Sequence, residues 1–456
     1  MKKAIIYICL LASGYGFAQD HFIGVSTSSR TGLLNTYLNP AELTNLSKKY
    51  EVNINGLSVN VSNNILSMSD LNSDTDFEEL IFKSGKTVNM NIDAEILGPG
   101  FAMKWHKWGF GLTTKGNVKF VLVDVDPDLG QSLFNTTDIT ETGTALINNK
   151  NNQRFNGISW GEVGLSAARN VFENDQHSFS AGLTLKLLFP GSYSNAGVDA
   201  FRGSIVSVYD ANNPSNSTAY LTNASASLNF AYSGDLSDSF TNQSDYTQSI
   251  FGKLGGFGTD IGANYQWKDP NDVKKYKINV GMALRNIGSM SFKDSKNASN
   301  SYRLNVPQGQ QLNLEQFSNL ESLKDVEEVL VNSGYLTTEE KSTDFNVKLP
   351  ATFSLYSDFK IYGKFFITGQ LQQKLSDNEG NNQVTAQNNF SIIPRVSLGY
   401  FEAFLPYSQN EISGSNFGLG FRVGGFYLSS SSLITAISND AKQFDLNFGF
   451  RWAFVE

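Results

Sequence analysis

The chain has 456 residues, 40% hydrophobic, 17% charged and 12% aromatic, with a formal net charge of −8 and one cysteine. Beyond the N-terminus no apolar run reaches the roughly 18 residues of a spanning helix, and an acidic balance without Lys/Arg clusters argues against a nucleic-acid partner. Disorder is excluded as well, because 34 Phe, 18 Tyr and 5 Trp are far more aromatic surface than an unfolded chain carries.

In chain order, Lys2 and Lys3 precede the apolar run from Ala4 to Ala12, and Gly16-Phe17-Ala18 places small residues where a signal peptidase reads them. Residues 1–18 are therefore expected to leave as a secretory signal. Cys9 leaves with them, which removes disulfides, thiolate metal sites and cysteine nucleophiles from the mature chain. Residues 19–49 follow, before the first strand. Within them Asn39-Pro40-Ala41-Glu42 reads as a helix start: Asn39 as N-cap, Pro40 at the first helical position, Glu42 bonding back to the cap. Such a segment is expected to sit inside or beneath a barrel as a plug.

From residue 50 to residue 456 the dominant signal is period two, in which apolar and polar side chains alternate between the two faces of a strand. At the C-terminus Phe444, Leu446, Phe448, Phe450, Trp452 and Phe454 share one face, with Asp445, Asn447, Gly449, Arg451 and Ala453 on the other. The same alternation places Phe179, Ala181, Leu183, Leu185 and Leu187 on one face, and likewise Tyr276, Ile278, Val280, Met282 and Leu284. It also picks out Ala224, Ala226, Leu228, Phe230 and Tyr232, and Phe417, Leu419, Phe421 and Val423. No linker interrupts the pattern. The expected fold is all-β: one transmembrane outer-membrane β-barrel of about 14 antiparallel strands, with lipid as its outer partner and Trp105, Trp108, Tyr265, Trp267 and Trp452 as interfacial aromatics. By the same alternation Asp93, Glu95, Lys104, Lys186, Asp260, Arg285, Arg395, Arg422, Asp445 and Arg451 face the lumen. Both signs are present, which favours ion pairs or a plug over a wide single-sign pore. Near residues 317–333, Phe317, Leu320, Leu323, Val326 and Leu330 recur at helical spacing, with Gly334 as C-cap, and read as a loop helix.

Chemical motifs are few. Gly157-Ile158-Ser159-Trp160-Gly161 has nucleophile-elbow spacing, but a strand follows it instead of a helix, and His21, His106 and His177 suggest no triad, so no enzyme is expected. Asp124, Asp126 and Asp128 alternate ahead of Gly130 like half of a calcium loop. Pro127 interrupts the run and no Glu closes it; a solvated acidic turn is the default and calcium the one cofactor suggested.

Three stretches carry a resemblance. Asn39-Pro40-Ala41 before the first strand, Leu349-Pro350-Ala351-Thr352-Phe353-Ser354-Leu355-Tyr356, and Val280-Gly281-Met282-Ala283-Leu284-Arg285-Asn286-Ile287-Gly288 resemble elements of the FadL-type long-chain fatty-acid transporter superfamily, including PorV-like outer-membrane proteins of Bacteroidota. The run Pro394 to Arg422, with Ser397-Leu398-Gly399-Tyr400-Phe401-Glu402, is similar to a Bacteroidota outer-membrane family without a described function. The resemblance implies a 14-stranded barrel with an N-terminal plug and a lateral exit through a kinked strand. Where that superfamily has a Gly/Ala-rich lead into Asn-Pro-Ala, this chain has Ser26-Thr27-Ser28-Ser29-Arg30, so no plug or ligand contacts are carried over. The expected function is passive transport of small hydrophobic compounds, bound beside the plug. The alternative is a non-transporting scaffold or PorV-like subunit whose partners are type IX secretion or gliding proteins.

Overall fold

The computed structural model describes residues 21–455 apart from positions 29, 31, 68, 71–76, 83, 135–141, 214–216, 235–251, 271, 294–296, 318, 319, 321, 439 and 440; the expected signal sequence lies outside the described residues. Fourteen strands form a ring. They are β1 (Tyr50–Asn63), β2 (Val88–Leu97, resuming as Gly100–Trp105), β3 (Trp108–Val125), β4 (Gln153–Glu173), β5 (His177–Val208), β6 (Gly256–Asp269) and β7 (Asp272–Lys293). Then come β8 (Thr352–Tyr362), β9 (Phe365–Lys374), β10 (Asn389–Leu398), β11 (Phe401–Phe404, resuming as Tyr407–Asn410), β12 (Gly414–Phe417, resuming as Leu419–Val423), β13 (Phe426–Ser430) and β14 (Gln443–Phe454). Each pairs antiparallel with the next, and β14 closes on β1 from Tyr50↔Phe454 to Ser62↔Gln443. Closure of β14 on β1 leaves the ring no free edge, which is the condition for strands to cross a bilayer.

The alternation of β14 is realised in the burial: Phe444, Leu446, Phe448, Phe450, Trp452 and Phe454 are exposed on the outside, and Gln443, Asp445, Asn447 and Arg451 are buried inside. Phe179, Leu183 and Leu185 on β5 and Met282 and Leu284 on β7 extend this apolar belt. Trp105–Trp108, Tyr362–Phe365, Leu398–Phe401 and Val423–Phe426 are joined by two-residue turns whose first residue has positive φ, from 52° at His106 to 70° at Gly399. Short turns mark the periplasmic rim of such barrels. Exposed Trp105, Trp108 and Trp452 sit at that rim.

Two assignments from periodicity change. Alternation puts Tyr276 on the lipid face, but bulges on either side of it turn its ring inward and leave Lys277 exposed. Ala224 to Tyr232 do not meet lipid. The second half of β5, from Tyr193, leaves the ring and pairs with Thr218–Ser233, which pairs with Ala298–Val306, which pairs with Leu336–Ser342. The apolar face of this extension packs Leu228, Phe230, Tyr232 and Tyr302 against Leu323 and Leu330 of helix Leu323–Asn332. Alternation reports a half-buried strand and cannot tell a lipid cover from a helix cover. The helix starts later than expected, capped by Ser322, whose side chain accepts from the Asp325 N–H, and ends at Gly334 with φ +78°.

Candidate functional site

The described residues between 21 and 46 fill the periplasmic half of the lumen. A helical turn, Leu33–Leu38, leads into a 3₁₀ turn, Pro40–Asn45, with the Asn39 side chain accepting from Ala41 N–H at 3.0 Å. Asn39, Ala41 and Glu42 are buried, Pro40 with them. Their seat is cut by glycines of the wall: a Cβ on Gly182 would lie 2.5 Å from Ala41 N and Pro40 C, and one on Gly262 would overlap the Asn39 amide. Asn39-Pro40-Ala41 therefore lies directly on the wall at Gly182 and Gly262. Glu42 does not return to its cap. A buried carboxylate needs donors, and the wall supplies Tyr356 Oη–H together with Asn264 and Asn279 Nδ2, both at 3.0 Å, while Asn45 adds 2.9 Å. Burial pushes the Glu42 carboxyl above its ordinary range, against these hydrogen bonds.

Four arginines hold the plug by its carbonyls. Arg395 donates to Thr27 O at 3.1 Å, Arg422 and Arg451 both to Arg30 O, and Arg285 to Tyr37 O at 3.3 Å. Each guanidinium is itself anchored. Arg395 bonds Asp358 at 2.7 Å, and Asp358 also accepts from Tyr276 Oη–H and Thr368 Oγ1–H. Glu402 lies 3.6 Å from Arg422 and accepts from Ser28 Oγ–H at 2.6 Å; Arg451 bonds Glu51, which also accepts the Leu33 N–H. Arg285 donates to Gln372.

The other lumen residues sort into separate groups. Asp93 pairs with Lys119 and His21, Glu95 with Lys115, and Lys186 bridges Asp260 and Glu162 at 2.9 and 3.4 Å. Asp445 accepts from Ser431 and Ser432, and Lys104 lines the periplasmic bowl. The partners Glu51, Lys115, Lys119, Glu162, Asp358 and Glu402 are not among the lumen-facing residues expected from the sequence, although Thr352, Ser354, Tyr356 and Asp358 alternate inward along β8. Asp124 accepts from Asn89 and Asn151, and Asp126 caps the helix after it through Asp128 and Leu129 N–H. Among the described residues no group of three or more His, Cys, Asp or Glu is placed to hold a metal ion, and the hydrogen bonds of Asp124 and Asp126 are those of a turn and a helix cap.

A second closure lies on the other side. The loop 375–388 between β9 and β10 folds into the extracellular mouth, where Val384 is fully buried in an apolar plate with Trp160, Leu188, Tyr193, Met290 and Val347. Backbone bonds join Lys348 to Asn382 and Val384, and Arg154 and Asn152 donate to the carbonyls of Gly380 and Glu379. Thr385, Ala386 and Gln387 form the partition between an outer groove of about 220 Å³ and an inner cavity of about 80 Å³ above the plug. Nothing in the polar stretch Ser376 to Asn382 announces this, because a lone valine in a loop carries no periodicity.

His21 ties the start of the plug to β2, 3.2 Å from Asp93 and 3.9 Å from Glu95. Burial alone would depress its pKa, but the two carboxylates outweigh burial and raise it. A raised folded-state pKa means that this tether is complete below the ordinary imidazole value of about 6.5 and is lost as pH rises through the raised one. We expect Ser26→Cys, in a chain whose Cys9 is replaced by Ser, to react faster with maleimide as pH climbs above neutral. His21→Gln should abolish that step, and a rate following thiol ionisation alone in both proteins would refute it.

One arc of the lumen is apolar. Phe22, Ile23, Val25 and Leu34 of the plug pack against Leu97, Ile393, Phe404 and Tyr427 of the wall. The wall is interrupted beside this cluster, in β2 at Gly98-Pro99, in β11 at Leu405-Pro406 and in β12 at Gly418. Pro394 and Pro406 also withhold ladder donors there. The Phe404 ring fills the space above Gly24 and Gly420, where any Cβ would overlap it.

A family model described as "Family of unknown function (DUF5723)" matches residues 40–431. No curated protein matches the chain. Among solved structures, a ΔS2S3 mutant of the monoaromatic hydrocarbon channel TodX is 9% identical, covering 96% of this chain and 97% of its own at a TM-score of 0.48. The P. putida toluene transporter TodX is 9% identical over 97% and 99% at 0.45. A Pseudomonas aeruginosa FadL homologue is 10% identical over 96% and 98% at 0.39.

Proposed function

The chain belongs to the family of unknown function DUF5723, and from its doubly closed lumen we propose that it is an outer-membrane barrel that admits small hydrophobic compounds passively and releases them sideways into lipid. The observation that carries this reading is the apolar cluster between plug and wall. It runs from Phe22 and Leu34 to Phe404, beside three interruptions of the strands, and lies apart from the ion pairs of Asp93, Glu95 and Lys186. An apolar solute leaving there never crosses the charged part of the lumen, and each interruption is bridged by a single backbone bond, Gly98 N–H to Thr114 O, Leu405 N–H to Pro394 O and Gly418 N–H to Pro406 O, so fewer bonds must break there than in a regular ladder. Phe404 is the side chain that must swing aside.

Cells producing the protein are expected to take up toluene at least tenfold faster than cells without it, with Phe404→Asn removing most of the gain at equal barrel abundance in the membrane. Uptake no faster than the background would end this reading. The scaffold alternative has less behind it: the helix that prompted it is seated on its own sheet, and the outer edge strand Leu336–Ser342 carries Glu339, Glu340 and Lys341, charges that discourage strand pairing.

A further inference from the structure

A bowl of about 830 Å³ opens at the periplasmic rim, below the plug. Its walls carry Arg30 from the plug, Lys104 from β2, Lys268 from β6, Lys275 from β7, Lys360 from β8 and Lys364 from the β8–β9 turn. Glu173 is the single acid among the residues that line it. Lys268 is paired with Glu173 at 2.7 Å, Lys360 with Asp269 at 2.6 Å and Lys275 with Asp272 at 2.7 Å. Among the described residues, Arg30, Lys104 and Lys364 have no carboxylate within ion-pair distance. One guanidinium nitrogen of Arg30, Nη2, is buried and has no hydrogen-bond acceptor.

Three unneutralised cations in one concavity run against the composition, since the chain as a whole carries a net charge of −8. A concave surface lined by one sign concentrates its field on the enclosed volume, and a buried guanidinium nitrogen without an acceptor is costly unless a ligand supplies one. The volume is that of a small-molecule site, and the cations surround it from plug, strands and turn instead of forming a flat stripe. We propose that this bowl binds a small organic polyanion, through carboxylate or phosphate oxygens that bridge Arg30 of the plug to Lys104 and Lys364 of the wall. Arg30 supplies the planar donor fork suited to either oxyanion, and the lysines supply point charges. The site does not depend on the barrel conducting anything.

The test is calorimetric titration of the refolded full-length mature chain, in uncharged detergent at low salt, with citrate, with pyrophosphate and with hexaglutamate peptide. Citrate or pyrophosphate is expected to bind and to weaken as salt is added, and the stronger of the two identifies the oxyanion. Arg30→Gln and Lys104→Gln/Lys364→Gln should each weaken binding at least tenfold, while Lys86→Gln, an exposed lysine at the opposite rim, should leave it unchanged. Lys364→Gln alone, at an exposed turn position, keeps the test intact should the double variant fail to refold, with a several-fold loss expected. Absence of binding by both small anions, binding indifferent to these substitutions, or binding of hexaglutamate alone would overturn the proposal.

Discussion

Deleting residues 19–49 is expected to leave the barrel closed in single-channel recordings, and so is Val384→Asp alone; the two changes together should give a conducting pore at least tenfold above either. The plug and the loop 375–388 close the lumen independently, from opposite ends, and the cavity between them touches both. Without the plug, Thr385, Ala386 and Gln387 still stand between the cavity and the outer groove, held by the burial of Val384 and by the backbone bonds to Lys348. A charge at position 384 cannot stay in that apolar plate unpaired, so Asp unseats the loop without touching the ring. With the plug in place, however, the arginines at 285, 395, 422 and 451 keep the far end shut. A plug-deleted protein that conducts steadily would show that the loop is no seal.

The second large effect is on stability. The Asp358 and Arg395 side chains are completely buried and joined at 2.7 Å, so Asp358→Ala leaves a buried guanidinium with only Glu402, 3.9 Å away, as counter-charge. Breaking such a pair costs about 3–5 kcal/mol, much of it the penalty of the charge left behind. We expect a correspondingly lower midpoint in urea unfolding followed by heat-modifiable migration, and release of Thr27 from Arg395 should make the plug accessible to protease. Replacing both residues, as Asp358→Leu with Arg395→Met, should recover most of the midpoint but not the protease resistance, because the apolar pair no longer donates to the plug. Equal losses in the single and double variants would show that the pair acts only through packing.

The sequence by itself determined the barrel. Period-two alternation over β14, β5 and much of β7 decides which side chains meet lipid, and a closed ring is what strands apolar on one face and polar on the other form in a bilayer. The Asn39-Pro40 cap is equally local, because an N-cap is satisfied within three residues. Only the tertiary structure decided which charges meet. Arg395 finds Asp358 on β8 and Glu402 on β11 because neighbouring registers align them, and its bond to Thr27 spans 368 positions of chain. The same holds for the extension sheet, whose Ala224 to Tyr232 pattern is satisfied by a helix about a hundred residues later where lipid was expected. Periodicity records that a face must be covered; what covers it is settled by the partners that folding brings within reach, and so are the seat of Val384 and the basic bowl around Arg30.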